Sequence, residues 1–310
     1  MSLVLAVYDP PIDALQEQLD AVSSQSSSDW ECIAVDDAST DPNVALVLAR
    51  WASIDPVRRQ VITREQNGGI AAASNDGLEA ASGEFVGFIA HDDVLHADAV
   101  EAVIAHFAQH PEHGVVHTDE QTVDARGAVI AAYHKPDWSP RRHLGHHYLA
   151  HFVAARRAVV GDLRVLADFE PSQDYDFYLR VIEEAERMGF TVGHIPRILY
   201  SWRAIAGSSA RDASEKPEMV EAVRRCVAAA IERRGDDARA ELVEHRGTPT
   251  TSCRLVRPVP EVPFAAIPIS IDTSPADVNT AIVGSDAEVI CLVDDSGVHD
   301  ADWAGQLIAL

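Results

Sequence analysis

Short apolar runs alternate with segments of helical periodicity through the first third of the chain, and this alternation constrains the fold more than any other feature. The runs are Leu3–Val7, Cys32–Val35, Val61–Thr63 and Phe85–Ala90. Between the first two runs, apolar residues recur at the spacing of one helix face: Ile12, Leu15, Leu19 and Val22. Strands that alternate with helices predict an α/β fold with a mainly parallel sheet flanked by helices.

Polar residues, most of them acidic, follow the end of each predicted strand. They are Tyr8-Asp9, Asp36-Asp37, Asn67-Gly68-Gly69 and His91-Asp92-Asp93. Open α/β sheets bind ligands at the carboxyl ends of their strands. Carboxylates that converge there repel one another. We therefore expect a divalent cation, or the donor groups of a base and a ribose, to lie between them.

Charge and composition exclude several classes of protein. The 310 residues include 49 acidic and 25 basic side chains, so the formal net charge is −24. Such a field repels the phosphates of nucleic acids and anionic membrane surfaces, and we expect no nucleic-acid partner. No apolar run approaches 18 residues. We expect a cytoplasmic protein without a transmembrane segment, with peripheral attachment to the inner face of the membrane left open.

Later segments predict further helices and a second, smaller unit. Helical patterns cover Asp98–Gln109, the segment after Ser172-Gln173-Asp174, and Pro217–Arg234. We predict a main domain at residues 1–246, a linker at 247–270 that contains five prolines, and a shortened repeat at 271–310. In that repeat, Ala287–Val293 with Asp294-Asp295, and then Asp302-Trp303, resemble Phe85–Ala90 with Asp92-Asp93. Any strand that is followed by two acidic residues gives the same match, so the alternative that the similarity is a coincidence stays open.

Five motifs stand in the order seen in family 2 glycosyltransferases. They are Val7-Tyr8-Asp9, Ala34–Asp41, Asn67–Asn75, His91-Asp92-Asp93 and Gln173–Asp176. The sequence resembles this family over residues 3 to about 210, and most closely its bacterial members that build O-antigen and related cell-surface polysaccharides. Lys135–Pro140 and Trp202-Arg203 with Gly207-Ser208 add to the resemblance.

The resemblance implies a GT-A fold, here with a short C-terminal α/β appendage. It also implies inverting transfer of a hexosyl or deoxyhexosyl group from a nucleotide-diphosphate sugar to a glycan or lipid-linked glycan. UDP- and dTDP-sugars are our first expectation for the donor. A divalent cation, Mn²⁺ or Mg²⁺, is implied as cofactor. The sequence predicts neither the particular sugar nor the oligomeric state.

The resemblance also assigns site residues. It implies that Asp174 is the catalytic base. It also implies that Asp92 and Asp93 are the metal ligands, because carboxylate oxygens are hard ligands that suit Mg²⁺ or Mn²⁺. The donor-binding residues it implies are Val7, Tyr8, Asp9, Asp36, Asp37, Asn67, Gly68, Gly69, Asn75, His91, Asp92 and Arg203. On the acceptor side it implies Trp138, His151, Gln173 and Trp202. Arg203 is interpreted as a diphosphate clamp because a guanidinium pairs bidentately with phosphate. A plain helix cap would also explain Asp174.

The sequence departs from the family pattern at three positions. Ala90 stands where the family usually has the first Asp of its acidic motif, Ser201 where close relatives often have His, and Asp9 where Asn is more usual. These changes leave a second hypothesis open, namely a non-catalytic nucleotide-sugar or glycan-binding protein derived from a glycosyltransferase. A dinucleotide-dependent oxidoreductase is excluded because the first turn after the first strand contains no glycine.

Four histidines fall at helical spacing: His143, His146, His147 and His151. A zinc site is one interpretation of this pattern. No acidic or cysteine ligand accompanies them, so we favour a surface helix or one that contacts a sugar.

Overall fold

The computed structural model describes residues 1–204, 217–245, 248–257, 264–269, 274–283, 286 and 289–294. Its strands are β1 (Ser2–Val7), β2 (Glu31–Asp36), β3 (Arg59–Thr63), β4 (Phe85–Ala90), β5 (Val94–Leu95), β6 (His113–Val123), β7 (Val129–Tyr133), β8 (Val153–Arg156), β9 (Thr191–Arg203), β10 (Arg239–His245), β11 (Thr248–Val256), β12 (Phe264–Ile269) and β13 (Val289–Asp294). Its helices are α1 (Ile12–Ser23), α2 (Pro42–Ile54), α3 (Gly69–Ala80), α4 (Ala99–Gln109), α5 (Pro140–Gly145), α6 (Arg157–Val160), α7 (Gln173–Arg187), α8 (Pro217–Arg233) and α9 (Pro275–Val283).

Nine strands form the main sheet in the order β3-β2-β1-β4-β8-β6-β9-β5, with β7 paired to β6. The four strands from β3 to β4 are parallel to one another. Strand β8 runs antiparallel between β4 and β6, and β6 is parallel to β9. The α/β fold expected from the alternating pattern is therefore confirmed. The parallel strands bring the loops after β1, β2 and β4 to one edge of the sheet.

Helices cover both faces of the sheet because β1 is apolar on both of its faces. Leu3, Leu5 and Val7 pack in one core with residues of α1, α2 and α4. Val4 packs in the other core with residues of α3 and α7. Alternate residues of a strand point to opposite faces, so one apolar run supplies both cores. Each buried Leu or Val contributes roughly 1.5–3 kcal/mol relative to exposure.

The three later helices predicted from periodicity are present at the predicted places. Helix α4 buries Val100, Val103 and Phe107. Helix α7 buries Tyr175, Tyr178, Leu179 and Ile182. Helix α8 ends at Arg233, and Gly235 follows with a φ of 64°. That positive φ favours a glycine just beyond the end of the helix.

The predicted linker is wrong in part, because β11 and β12 lie within residues 247–270. Pro249 lies near the start of β11, and Pro268 lies in β12, which within the described part of the chain pairs with β13. Proline is tolerated at such strand starts and sheet edges because no interior hydrogen bond is lost. The prolines of residues 247–270 thus lie within strands as well as in the connections between them.

Contact density divides the chain into two units, Met1–Ala230 with Leu242–Cys253, and Ile231–Glu241 with Arg254–Leu310. In the second unit β12 and β13 pair in parallel, with α9 between them in sequence. The proposed domain boundaries and the shortened repeat remain predictions. Several residues named for them or for the family motifs lie outside the described residues: Gly207, Ser208, Asp295, Asp302, Trp303 and the stretch to Leu310. Among the described helices, none has the length and apolarity to span a membrane.

Candidate active site

The acidic loops at the carboxyl edge of the parallel strands are stabilised by groups of the protein itself. Asp9 accepts hydrogen bonds from the backbone N–H groups of Thr40 (2.8 Å) and Asp41 (2.9 Å). Asp36 accepts one from the backbone N–H of Ser39 at 3.0 Å. Backbone amides thus already compensate part of the charge of Asp9 and Asp36. The expected cation or ligand between the acidic loops stays a prediction. Asp41 caps α2, as the sequence also allowed.

Asp37 joins the second loop to the third. Its buried carboxylate accepts hydrogen bonds from the backbone N–H groups of Gly68 (3.0 Å) and Gly69 (2.8 Å), and it pairs with Arg64 Nε at 2.9 Å. Gly69 has a φ of 83°, which side chains other than glycine rarely adopt. A Cβ atom there would lie 3.1 Å from Glu170 Oε1. Gly68 and Gly69 thus stabilise the conformation of their own loop through the hydrogen bonds to Asp37.

Two predicted donor contacts are not supported by the geometry. Asn75 donates to the carbonyl of Val165 (2.9 Å) and accepts from its N–H (2.8 Å), so its side chain connects α3 to a neighbouring loop. Arg203 is buried, donates to the carbonyl of Asp92 at 2.8 Å and pairs with Glu17. A guanidinium bound in this way does not present its fork to a diphosphate. The predicted clamp at Arg203 is therefore wrong for this conformation.

Asp93 is a buried carboxylate with both oxygens engaged. One oxygen accepts from the hydroxyl of Tyr200 (2.8 Å) and the other from the backbone N–H of Arg203 (2.8 Å). Burial, together with the nearby charge of Asp92, raises the pKa of Asp93 to about 6. Asp93 therefore holds β9 against the loop after β4.

The carboxylate of Asp92 differs from that of Asp93 in being partly exposed. Mg²⁺ and Mn²⁺ prefer oxygen ligands and commonly share their coordination sphere with substrate phosphates and water. The oxygen ligands present here therefore fit a cation held by Asp92 together with a diphosphate. The predicted ligand role of Asp93 remains a prediction, and its oxygens would have to accept a further partner.

His151 stands close to both predicted acidic sites. Its positive charge opposes the burial that raises the pKa of Asp93, and it adds to the effect of His147 in lowering the pKa of Asp174. Burial would lower the pKa of His151, but hydrogen bonding and the charge of Glu120 outweigh burial and raise it. His151 Nδ1 lies 3.1 Å from Glu120 Oε2. The segment before β8 thus brings an imidazole near Asp93.

A buried lysine completes this charged group. Lys135 Nζ donates to Glu120 (3.1 Å) and to the carbonyl of Leu149 (2.9 Å). Despite the opposing effect of burial, His151 and Lys135 lower the pKa of Glu120 to about 2. The carboxylate is therefore ionised and fixed in position near neutral pH.

Asp174 lies at the second residue of α7 and does not cap that helix. Ser172 occupies the cap position, and the Asp174 side chain instead has its Oδ2 3.2 Å from His147 Nε2. The carboxylate is 43% exposed. Burial favours a higher pKa, but the charge and hydrogen bond of His147 outweigh it, so the pKa of Asp174 is lowered. A partly exposed, ionised carboxylate at a helix N-terminus can accept a proton from a bound hydroxyl group.

Asp174 faces a cavity of ≈ 420 Å³. Glu120, His151 and Trp202 line it beside Asp174, and α8 contributes Met219 and Val223. The cavity also has an aromatic wall formed by Tyr133, Tyr148 and Tyr175. Sites with apolar and aromatic walls and a few polar groups are typical of small-molecule binding. Two residues predicted for the acceptor side, His151 and Trp202, are therefore in a suitable place.

Other predicted residues have different surroundings. Trp138 packs against the second core and against His143, with ring centroids 5.4 Å apart. Gln173 is buried and is not among the residues that line the cavity. His91 Nδ1 lies 3.2 Å from the carbonyl of Ala6, and Val7 is buried, whereas Tyr8 is 46% exposed at the sheet edge. The structure thus leaves Tyr8 accessible to a ligand and gives Trp138 a packing role.

The interpretation of the four histidines as one helix is wrong. Helix α5 ends at Gly145, so His146 is its C-cap residue and His147 and His151 follow outside any helix. His143 is buried instead of exposed. Sequence reasoning did not give His147, Glu120 or Lys135 a role in the site. His147 belongs to the four-histidine segment and Lys135 to the Lys135–Pro140 motif, and these were their only local signals. Their partners, Asp174 and Glu120, lie 27 and 15 residues away in sequence, so the pairings could not be predicted from local patterns.

Comparison with known proteins agrees with this architecture. The model of the family described as "Glycosyl transferase family 2" matches residues 2–162, which is more than half of the chain. The O-antigen biosynthesis protein RfbC of Myxococcus xanthus is 37% identical over 241 residues, which cover 77% of this chain and 18% of that protein. Protein y4gI of Sinorhizobium fredii is 38% identical over 228 residues, covering 73% of this chain and 25% of that protein. The chain thus spans a quarter or less of either relative.

Two solved structures share the fold. S. aureus TarS 1-349 in complex with UDP-GlcNAc superposes with a TM-score of 0.58 at 20% identity, covering 74% of this chain and 66% of that one. The mannosyltransferase PcManGT from Pyrobaculum calidifontis, in complex with GDP-Man and Mn²⁺, gives a TM-score of 0.55 at 18% identity, covering 74% and 64%. The predicted GT-A fold is confirmed. The family match across the sheet and its acidic loops means that the chain belongs to glycosyl transferase family 2.

Proposed function

We propose that this chain is an inverting glycosyltransferase domain with Asp174 as its catalytic base. In this proposal the domain transfers a hexosyl or deoxyhexosyl group from a UDP- or dTDP-sugar to a hydroxyl group of a glycan or lipid-linked glycan. The observation that carries the proposal is the partly exposed carboxylate of Asp174, which lines the cavity and pairs with His147 at 3.2 Å. The cytoplasm, with or without peripheral membrane attachment, is the proposed location.

Asp174 would accept the proton of the acceptor hydroxyl as that oxygen forms a bond to the anomeric carbon. The bond between the anomeric carbon and the diphosphate oxygen breaks on the opposite face, so the configuration inverts and the nucleoside diphosphate leaves. His147 keeps the carboxylate ionised by lowering its pKa. General-base catalysis of this kind contributes about 10²–10⁴-fold to the rate.

The donor is proposed to lie on the loops that follow β1, β2 and β4. Tyr8 is exposed there and presents an aromatic face to a base. Asp92 would hold the cation, which when bound neutralises charge on the departing diphosphate. Asp37 and Asp93 are buried and would shape the loops. The two structural neighbours named above were solved with UDP-GlcNAc and with GDP-Man and Mn²⁺, which supports a nucleotide-sugar donor.

The name of one relative supports the acceptor class. RfbC of Myxococcus xanthus is described as an O-antigen biosynthesis protein. Trp202 lines the same cavity beside His151, with ring centroids 4.3 Å apart, and its indole is suited to stacking against a sugar ring. A glycan hydroxyl bound there would lie within reach of Asp174.

Donor hydrolysis tests the proposal without knowledge of the acceptor. UDP-, dTDP- and GDP-sugars are incubated with the protein and Mn²⁺, and nucleoside diphosphate release is measured, with thermal shift as the readout of donor binding. Asp174→Asn should reduce release at least about 10²-fold and leave the thermal shift unchanged. Asp168→Asn is the matched control, because Asp168 is an exposed acid six residues earlier.

Two results would overturn the proposal. Equal turnover by the wild type and Asp174→Asn would remove Asp174 as the base. Binding of a nucleotide sugar without turnover, with water or with any glycan acceptor tried, would favour the non-catalytic binding protein. The absence of Asp at position 90 is the observation that makes this second outcome worth testing.

A further inference from the structure

Three imidazole rings cluster around the turn between α4 and β6. The ring centroids of His106 and His110 lie 4.6 Å apart, and each lies 5.1 Å from that of His113. His106 Nε2 and His113 Nδ1 are 2.9 Å apart, a hydrogen-bond distance. The Nε2 atom of His113 faces away from His106 and towards Glu112.

Glu112 brings a carboxylate to the same place. Its Oε1 atom lies 3.1 Å from His110 Nδ1 and 3.8 Å from His113 Nε2. One ligand atom from each of the three residues lies within 4.8 Å of the other two, and within the described residues this is the one such group of three His, Cys, Asp or Glu. Zinc–ligand bonds of about 2.0–2.2 Å place tetrahedral ligand atoms about 3.4 Å apart. The observed spacing is therefore close to that of a metal site.

The short connection between α4 and β6 holds these ligands in place. The backbone N–H of His110 donates to the carbonyl of His106 (2.8 Å), and that of His113 donates to the carbonyl of His110 (3.1 Å). Pro111 has a fixed φ, which further restricts the turn. Side-chain rotation can close the remaining gap, because His110 is 45% and Glu112 is 56% exposed.

The cluster lies at the edge of the sheet opposite the donor loops. Arg156 pairs in β8 with Phe85, the first residue of β4, and donates through Nε to the carbonyl of His113 at 2.9 Å. Asp92 instead follows the last residue of β4. The six residues of β4 span about 20 Å at roughly 3.3 Å each. A cation bound at the histidine cluster is therefore not the one proposed to contact the donor.

We propose that His110, Glu112 and His113 bind a divalent cation of the Zn²⁺ type, with His106 as the hydrogen-bond acceptor that orients His113. Two imidazole nitrogens and one carboxylate oxygen favour Zn²⁺ over Mg²⁺ or Ca²⁺, which prefer oxygen ligands alone. Metal-binding histidines usually donate their second ring N–H to a carboxylate, a backbone carbonyl or water, and here His106 Nε2 lies 2.9 Å from His113 Nδ1 to accept it. Three protein ligands leave a fourth position for water. The guanidinium of Arg156 opposes a cation, but it is paired with Glu84 at 3.4 Å.

Bound metal would connect the end of α4 to the start of β6. This inference does not depend on the proposed glycosyltransferase activity, and its readouts are spectroscopic and thermodynamic. The full chain, stripped of metal with a chelator, is titrated with Co²⁺, whose visible absorption reports nitrogen ligation, and then with Zn²⁺ by calorimetry. Thermal unfolding is measured with and without Zn²⁺.

The expected result is one Co²⁺ equivalent with visible bands, displaced by Zn²⁺, and a rise in Tm with Zn²⁺. His113→Ala should abolish the bands, and His106→Phe should weaken Zn²⁺ binding about 10–100-fold. His134→Ala, the control, removes an exposed imidazole elsewhere and should change neither. Asp92→Asn should also leave the bands intact.

Retention of the bands in both His110→Ala and His113→Ala, with the fold verified by circular dichroism, would overturn the inference. So would the absence of nitrogen-ligated Co²⁺ in the wild type. Loss of the bands in Asp92→Asn alone would place the cation at the donor edge and would equally contradict a site at the histidine cluster.

Discussion

His147 Nε2 lies 3.2 Å from Asp174 Oδ2, and the His147 ring stacks on Tyr175 with ring centroids 4.6 Å apart and an interplanar angle of 13°. The stacking fixes the plane of the imidazole, and the hydrogen bond fixes the carboxylate. The pKa of Asp174 is lowered by this partner against the effect of burial. His147 is therefore a positioning residue for the proposed base.

Replacement of His147 by Gln should move the acid limb of the kcat/KM profile to higher pH. The base acts only when it is ionised, so a lowered pKa preserves activity as the pH falls, and loss of His147 removes that protection. The measurement is nucleoside diphosphate release across pH. His134→Gln, which alters an imidazole bonded to Asp119 at 3.0 Å, should leave the profile unchanged. An unshifted acid limb in His147→Gln would contradict this role.

Ionisation of Asp93 should lower the free energy of unfolding as the pH rises from about 4 to 6. Its pKa is raised to about 6 by burial and by Asp92, from an ordinary value of 3.8. Between these values the folded state binds more protons than the unfolded state, so the free energy of unfolding falls with rising pH. The full effect is at most about 3 kcal/mol.

Urea unfolding of the wild type and Asp93→Asn across that pH range checks this prediction. The amide of Asn can still accept from the backbone N–H of Arg203 and donate to the Tyr200 oxygen, so the fold should persist. The difference between the two stability curves should grow with pH up to about 6 and then level off. A difference that does not depend on pH would show that Asp93 titrates normally in the folded state.

Removal of the buried lysine should destabilise the protein strongly. Lys135→Met leaves the carboxylate of Glu120 buried with a single charged partner, His151. Loss of one member of a buried ion pair costs about 3–5 kcal/mol because the remaining charge is uncompensated. Addition of Glu120→Gln to Lys135→Met should therefore restore part of the free energy of unfolding. Denaturant unfolding of both single variants and the double variant measures the coupling, and purely additive effects would contradict it.

Gly69→Ala and Gly127→Ala form a matched pair. The two glycines have φ values of 83° and 82°. Of the two, only Gly69 has a close neighbour: Glu170 Oε1 lies 3.1 Å from the position that a Cβ atom at residue 69 would occupy. Both changes should cost about 1–2 kcal/mol of stability through the left-handed backbone. Only Gly69→Ala should also weaken donor binding, because it displaces the loop held by Asp37. Thermal shift with and without UDP and Mn²⁺ separates the two effects, and equal donor affinities would count against a donor site at this loop.

The sequence by itself determined the four parallel strands β1 to β4, several flanking helices and the position of the acidic loops. These features depend on local patterns: apolar runs form strands, helical spacing gives α4, α7 and α8, and polar residues follow where each strand ends. The motifs in register across the first two hundred residues were enough to indicate the family. Local signals failed at the His143–His151 segment, where α5 ends after Gly145.

Only the tertiary structure decided which partner each functional side chain has. Arg203 pairs with Glu17, which is 186 residues away, and in this conformation its guanidinium is not turned towards a diphosphate. His151 reaches Glu120, and His147 reaches Asp174, because strand order and helix packing bring separate segments together. The physical reason is that a charged side chain takes the partner that compensates its burial best, and in this fold that partner is often distant in sequence.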